Sequence, residues 1–324
     1  MRWRNVLFGG AAAAIGGAAA YNLLAQKDIP ELENLIGGDE RWFGWRGWQV
    51  QYTVRGRGPA VLLVHGIHAA ASSYEWRATV HELARTHTVY TIDLLGFGRS
   101  SRPNTAYSAR LFQALVDDFV EQVVRTPCAL VASSLAAAYA IVLAARNPAL
   151  YPALVVVAPT GLVRLADPVT SSGDVRSLAL GTPILGTAAF NGLVSRASLR
   201  KYLEKIYASD ACVTEELIDD YYWTAHQPGA KYAPSAFIGG KLNVDVRRPL
   251  RGLTQPTLLV WGEQSAMTPL DEAHNFLAMK PDLELSILSP AGDLPHDERA
   301  DEFNEVVREF FGRVWSTPAV TAGV

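Results

Sequence analysis

The segment that most constrains the fold is PAVLLVHG at residues 59–66, a short and continuous apolar run that ends at His-Gly. It lacks the alternation of apolar and polar positions that marks a strand with one face in water. Such a run is typical of a strand that is buried on both faces in a parallel sheet. The chain is therefore expected to build a central sheet with helices on both sides.

Similar runs recur along the chain and alternate with helical patterns. The alternating segment WRGWQVQYTVRG at 45–56 predicts a half-buried strand or hairpin before the first run. The further predicted strands are TVYTIDLLG, CALVAS, ALVVVAP, PTLLVWG and LELSIL. The predicted helices lie at 108–124, 135–145, 270–279 and about 297–311. This order implies βαβ units and a mostly parallel sheet.

The alternation is interrupted between residues 159 and 255, where only helical spacing is found. One predicted helix begins after Thr214, a good N-cap residue, and carries Glu215 and Glu216 where the helix dipole favours negative charge. An insertion here would cover the carboxyl ends of the strands, where open α/β sheets bind ligands. The predicted domains are a core at 27–158 and 256–313, a helical lid at 159–255 and a C-terminal tail at 314–324.

The first 26 residues differ from the rest. Arg2 and Arg4 precede an uncharged stretch of 19 residues, Val6 to Leu24, rich in Ala and Gly. Three interpretations remain open: a membrane anchor that is kept, a signal peptide cleaved near residues 18–20, and a helix packed on the domain. We expect membrane association through residues 6–24, with a cytoplasmic or secreted protein as the alternatives.

Composition excludes several other classes of function. The formal net charge is −3, and the charges of both signs are interspersed, so no basic face for nucleic acid is expected. Cys128 and Cys212 stand far apart, which indicates neither a disulfide framework nor a thiolate metal site. No histidine pattern predicts a metal centre, and no dinucleotide motif follows the first parallel strand, so no metal or cofactor is expected.

Four segments, in this order, resemble the α/β-hydrolase superfamily. They are VLLVHGIHAAASSYEW for the oxyanion loop, DLLGFGRSSRP for the following turn, LVASSLAAAYA for the nucleophile elbow and AGDLPHDERADEFN for the loop of the catalytic histidine. The resemblance spans roughly residues 47 to 313. It implies an α/β-hydrolase fold with a mostly parallel sheet and a lid inserted after the third-from-last strand.

The elbow carries the most specific part of this resemblance. The family pattern G-x-S-x-G corresponds to residues 132–136, Ala-Ser-Ser-Leu-Ala, which gives Ser134 the position of the nucleophile. The resemblance also implies that the backbone N–H groups of Ile67 and Leu135 form the oxyanion hole. A serine pair that only caps the next helix is the alternative interpretation.

Two positions depart from the family pattern. Ser265 stands where the family has its acidic residue, and Asp293 stands where it has the catalytic histidine. Glu263 is an alternative acid. The two replacements are consistent with each other, because a second carboxylate beside Asp293 would add like-charge repulsion.

Three bases are compatible with the sequence. His296 lies three residues beyond the usual position, Asp293 could act itself if burial raised its pKa, and other histidines could face the pocket. The pocket candidates are His68, Tyr222, Trp223 and His226, alongside other insertion aromatics at positions 190, 221, 232 and 237.

These residues lead to three functional hypotheses. The first is a hydrolase of small or medium apolar ester or carbonyl compounds with an altered triad. The second is a non-catalytic protein that binds an apolar ligand in the same pocket. The third is a cofactor-free lyase, or a related proton-transfer enzyme, that uses Asp293.

Overall fold

The computed structural model describes residues 2–167 and 169–316, with side chains from residue 14 onwards. Its core is an eight-stranded sheet in the order β1-β2-β4-β3-β5-β6-β7-β8. The strands are β1 (Asp39–Trp45), β2 (Trp48–Arg55), β3 (Ala60–Val64), β4 (Thr88–Ile92), β5 (Cys128–Ser133), β6 (Leu154–Val157), β7 (Thr257–Gly262) and β8 (Glu284–Leu288). The mostly parallel sheet predicted from the sequence is confirmed.

Strands β1 and β2 form an antiparallel hairpin at one edge of the sheet, and β2 pairs antiparallel with β4. All later pairings are parallel. Arg46 and Gly47 make the hairpin turn with φ of 50° and 83°. Positive φ at both central residues matches the twist of the flanking strands. The hairpin starts earlier than the sequence pattern predicts, because β1 has exposed positions on both faces.

The helices are α1 (Arg2–Ala25), α2 (Arg77–Leu83), α3 (Ala109–Phe119), α4 (Ser134–Arg146), α5 (Ser171–Gly181), α6 (Leu185–Leu193), α7 (Arg196–Ile206), α8 (Glu215–His226), α9 (Tyr232–Ile238), α10 (Arg247–Arg251), α11 (Asp271–Met279), α12 (Pro295–Glu298) and α13 (Ala300–Ser316). Helices cover both faces of the sheet. Successive residues of β3 point to opposite faces. Val61 packs into a core with α2 and α13, and Leu62 packs into a second core with α3 and α4. Both faces are covered, as the apolar run at 59–66 predicts. Of the predicted tail at 314–324, residues 317–324 lie outside the described residues.

Helices α5 to α10 form the insertion between β6 and β7. The insertion has an apolar cluster of its own, which includes Leu203, Leu217 and Ile218 and which Ala70 of the loop after β3 joins. The Thr214 side chain accepts a hydrogen bond from Leu217 N at 3.2 Å, so the predicted cap of α8 is present. The insertion is therefore packed in its own right and also joined to the core.

The end of α1 contacts the insertion. Asn22 Nδ2 donates to the Ile184 carbonyl at 3.0 Å, and Asn191 Nδ2 donates to Asn22 Oδ1 at 3.1 Å. Tyr222 donates its hydroxyl proton to the carbonyl of Ala25 at 3.1 Å. Within the described part of the chain, no helix combines the length and the apolar character needed to span a membrane.

Candidate active site

Ser134 lies at the sharp turn where β5 ends and α4 begins. Its φ of 51° is in the left-handed region, which a residue with a side chain enters only when its surroundings hold it there. The neighbouring Gly66 would place a Cβ 2.9 Å from Ser133 Oγ and 3.5 Å from Ser134 Cβ. The oxyanion loop therefore passes so close to the elbow that a larger residue at Gly66 would displace one of them.

The two predicted oxyanion donors flank this turn. Ile67 follows Gly66 in the loop after β3 and borders the same cavity as Ser134. Leu135 is the second residue of α4. Backbone N–H groups in the first turn of a helix have no partner within the helix. Both residues therefore lie at the elbow, and an oxyanion hole formed by their N–H groups stays a prediction.

Ser134 opens into a cavity of about 730 Å³. The loops that follow the carboxyl ends of the strands form the floor of this cavity, and Ile67 and Thr160 are among their lining residues. The insertion supplies most of the apolar wall: Phe190, Leu193, Val194, Leu199, Pro234 and Phe237. A cavity of this size and apolar character suits a medium-sized apolar ligand.

Asp293 makes hydrogen bonds to a turn rather than to Ser134. Its carboxylate accepts from the backbone N–H groups of Ala266, Met267 and Thr268 at 3.0–3.1 Å. The Ser265 hydroxyl adds a fourth donor at 3.2 Å. These donors all belong to the turn at 265–268, and no hydrogen bond between Asp293 and Ser134 is found among the described residues.

Ser265 and Glu263 differ in their relation to Asp293. Ser265 lies in direct contact with it, so the two residues that replace the family's acid and base still form a pair. Glu263 turns away, and its carboxylate accepts a hydrogen bond from Ser289. Of the two candidates for the acid position, only Ser265 contacts the residue at the base position.

His296 is fully buried outside the cavity. Its Nε2 lies 3.1 Å from Glu75 Oε1, and its ring stacks at 4.4 Å on Trp76. Glu75 is the close polar neighbour of the His296 ring, although neither ring nitrogen makes a well-aligned hydrogen bond to the residues that the structure describes. His296 does not line the cavity that contains Ser134.

Glu75 is the site residue that sequence reasoning missed. Its carboxylate accepts from Gly66 N at 2.8 Å and from the Ser133 hydroxyl, and it pairs with His296. Burial alone would raise the pKa of Glu75, but the contacts with His296 and Ser133 outweigh burial and lower it to about 2. Glu75 thus ties the oxyanion loop, the elbow and the last loop together. In the sequence, the only feature that marks Glu75 is its position directly before a tryptophan.

His68 is the one predicted pocket histidine that lines the cavity beside Ser134. Its ring stacks on Tyr221 at 5.3 Å, and its Nδ1 accepts from Ala70 N at 3.3 Å. Burial lowers the pKa of His68 to about 4, against an opposing effect of Glu75, so the ring is neutral at pH 7. With Nδ1 as an acceptor, Nε2 carries the proton and is a hydrogen-bond donor.

The other three pocket candidates are placed elsewhere, which corrects the expectation from the sequence. Tyr222 binds the end of α1, and His226 stacks on Tyr222 with its Nδ1 2.8 Å from the Tyr222 carbonyl. Trp223 lines a separate, smaller cavity. The reason is the turn of about 100° per residue along α8, which points Tyr221 towards His68 and the next two side chains away from it.

Comparisons with known proteins agree with this fold. The model of the alpha/beta hydrolase family matches residues 61–306. A 2-hydroxy-6-oxo-6-(2'-aminophenyl)hexa-2,4-dienoic acid hydrolase of Metapseudomonas resinovorans is 26% identical over 282 residues, 85% of this chain and 91% of that protein. A pimeloyl-[acyl-carrier protein] methyl ester esterase of Aeromonas salmonicida is 26% identical over 269 residues, 79% of this chain and 97% of that protein.

Among solved structures, a bacterial membrane phospholipase A superposes with a TM-score of 0.71 at 21% identity. The match covers 96% of this chain and 97% of that one, and at this identity it shows a shared fold. The sheet, the elbow at Ser134 and the family match over residues 61–306 all lead to one conclusion. This chain belongs to the alpha/beta hydrolase family.

Proposed function

We propose that this protein is a slow hydrolase of small or medium apolar ester or carbonyl compounds, with Ser134 as the nucleophile. The observation that carries the proposal is the strained backbone of Ser134 at the border of an apolar cavity of about 730 Å³. The relatives support the general reaction, since one is named as a hydrolase of an oxo-dienoic acid and another as a methyl ester esterase.

The altered triad explains why the reaction should be slow. Loss of the histidine alone costs on the order of 10⁶ in turnover in a serine protease, and the oxyanion hole with substrate binding still leaves ~10³–10⁴ over water. Here Asp293 and His296 are both held by other partners. The neutral ring of His68 supplies a donor for a substrate oxygen at the same cavity.

A panel of 4-nitrophenyl esters with acyl chains of increasing length tests this proposal. We expect saturable turnover that improves with chain length up to the size of the cavity and that is lost in Ser134→Ala. Asp293→Asn should leave part of the activity, because that carboxylate is bonded to the 266–268 turn and not to Ser134. Turnover that persists unchanged in Ser134→Ala would contradict the proposal.

The second candidate is a non-catalytic protein that binds an apolar ligand. This candidate is favoured because both possible bases contact other groups. Asp293 accepts hydrogen bonds from four donors, and His296 contacts Glu75. Saturable binding of the same esters by the wild-type chain, with no turnover over many hours, would identify this candidate. The lyase hypothesis predicts that Ser134→Ala is tolerated while Asp293→Asn is not, and the donors around Asp293 count against it.

We also propose that the N-terminal segment attaches the protein to a membrane surface. The support is the uncharged stretch from residue 6 to 24 together with the exposure of Leu23 and Leu24, which are more than two thirds accessible. The structural neighbour named a membrane phospholipase matches nearly the whole chain. In a flotation experiment, the full chain should float with lipid vesicles, and a chain that starts at residue 27 should not. Equal behaviour of the two chains would contradict this proposal.

A further inference from the structure

A second cavity, of about 260 Å³, lies apart from the one at Ser134. It is lined by the linker between α1 and β1, the loops before α2 and after β4, and one face of α8. The two cavities share no lining residue in the described part of the chain. Nothing in the proposed hydrolysis requires the smaller cavity.

Asp220 of α8 is the unusual residue in this second cavity. Its side chain lines the cavity, although the residue is only 8% exposed. Its Oδ2 has no hydrogen-bond partner, and no cationic group of the described residues lies within ion-pair distance of it. A buried carboxylate oxygen without a partner is costly, and such atoms in folded proteins are usually satisfied by something.

The charges around Asp220 leave the cavity negative. Asp93 also lines it, but the Asp93 carboxylate already accepts from Ser73 N at 2.6 Å and from Arg99 N at 2.8 Å. The side chain of Arg99 pairs with Glu40 at 2.9 Å. Arg77 nearby pairs with Asp297 at 2.6 Å. Arg99 and Arg77 thus have anionic partners of their own, and Asp220 has none among the described residues. A third cation, Arg102, interacts with Asp93 but does not line the cavity.

We propose that this cavity binds a small organic cation, an ammonium or guanidinium group, with Asp220 as its counter-ion. Trp223 also lines the cavity, and an aromatic side chain suits an organic cation through both apolar contact and the ring quadrupole. The other lining aromatic, Tyr74, already has the Arg77 guanidinium over its ring at 4.5 Å. A bare metal ion fits less well, because the described residues contain no cluster of three ligating side chains. At roughly 30 Å³ for each water-sized group, the volume admits a ligand of about eight non-hydrogen atoms.

The binding should depend on pH through Asp220. Burial raises the pKa of Asp220 to about 7, with a further rise from Asp93 and an opposing effect of Arg77. The charged or titratable groups around it are Glu31, Glu33, Tyr74, Arg77, Asp93 and Arg99. A cation binds the ionised form of Asp220, so the apparent affinity should follow the ionised fraction.

Isothermal titration of the full chain with ethylammonium chloride and with tetramethylammonium chloride, at constant ionic strength, tests the proposal. We expect saturable binding of at least one probe at pH 8, about tenfold weaker at pH 6. Asp220→Asn should weaken it at least about tenfold at pH 8. Asp219→Asn is the matched control, since Asp219 lies on the same helix, pairs with Arg196 at the surface and should leave binding unchanged.

Two outcomes would overturn the proposal. One is the absence of saturable binding of both probes to the wild-type chain at pH 8. The other is binding that is equal in wild type and Asp220→Asn, or equal at pH 6 and pH 8. The pH series needs only the wild-type chain, so the proposal stays testable even if a variant folds poorly. Hydrolysis at Ser134 is measured separately, and its failure would leave this test intact.

Discussion

Asp293 and Asp220 are the same residue type in two different settings, since Asp293 is bound to a turn and Asp220 lines a cavity. Asp293 accepts hydrogen bonds from four donors of the turn at 265–268. Asp220 has an oxygen without a partner, and burial raises its pKa to about 7. The position that a carboxylate takes in the family pattern therefore does not determine its chemistry. The hydrogen-bond donors around the carboxylate determine it.

The strongest way to break this comparison is to restore the family's pair at the first cavity. The double substitution Asp293→His with Ser265→Asp installs the family's base and acid at the positions that carry them in the family pattern. We expect ester turnover to rise by about 10²–10⁴, the usual contribution of general acid–base catalysis. The measurement is the initial rate with a short-chain 4-nitrophenyl ester.

The single substitutions are the controls for the double one. Asp293→His alone lacks its orienting carboxylate, and Ser265→Asp alone places two carboxylates in contact, so each should gain much less than the pair. If the double variant folds but gains no activity, the elbow at Ser134 is not competent and the binding hypothesis is preferred.

Glu75 is a third carboxylate of interest, and like Asp220 it is buried. The pKa of Glu75 is lowered from 4.5 to about 2 in the folded protein. Ionised Glu75 therefore contributes its full stabilisation of the fold above pH 4.5, and this contribution is lost as the pH falls towards 2. Glu75→Gln removes this charge and should lower the free energy of unfolding at pH 7 by roughly 2–3 kcal/mol. Urea unfolding at pH 7 and pH 3 should show a difference between wild type and variant that shrinks at the lower pH.

Asp220 should behave in the opposite sense. Because its pKa is raised, its ionisation costs stability as the pH rises from about 4 to 7, and that cost is constant above. Asp220→Asn should therefore raise the free energy of unfolding at pH 8 by about 1–3 kcal/mol and have little effect near pH 4. Thermal unfolding at the two pH values measures this, and a variant that is less stable at pH 8 would contradict the account.

The smallest expected effect is at Ser265. Ser265→Ala removes one of four donors to Asp293 and leaves the three backbone N–H groups in place. We expect a loss of about 1 kcal/mol in the free energy of unfolding, the usual net contribution of one hydrogen bond. Ser289→Ala, which affects the contact with the exposed Glu263, is the matched control and should be nearly neutral.

Local patterns were enough to predict the sheet, the Thr214 cap and the position of Ser134 at the start of a helix. Each of these depends on spacing within a few residues or on apolar runs that can only be buried. The directions of Asp293, His296 and Tyr222 could not be predicted, because each depends on contacts with segments far away in the sequence. His296 meets Glu75 across more than 200 residues, and no local pattern records that contact.

If Ser134 is a nucleophile at an elbow without an adjacent base, a probe that reacts with serine nucleophiles should modify it slowly. The full chain is incubated with a fluorophosphonate probe over a time course, and the modified residue is located by mass spectrometry in wild type and in Ser134→Ala. We expect slow, saturable labelling of Ser134 in the wild type and faster labelling in the variant that carries both Asp293→His and Ser265→Asp. Labelling at another residue, or none at Ser134 in either the wild type or the restored variant, would contradict it.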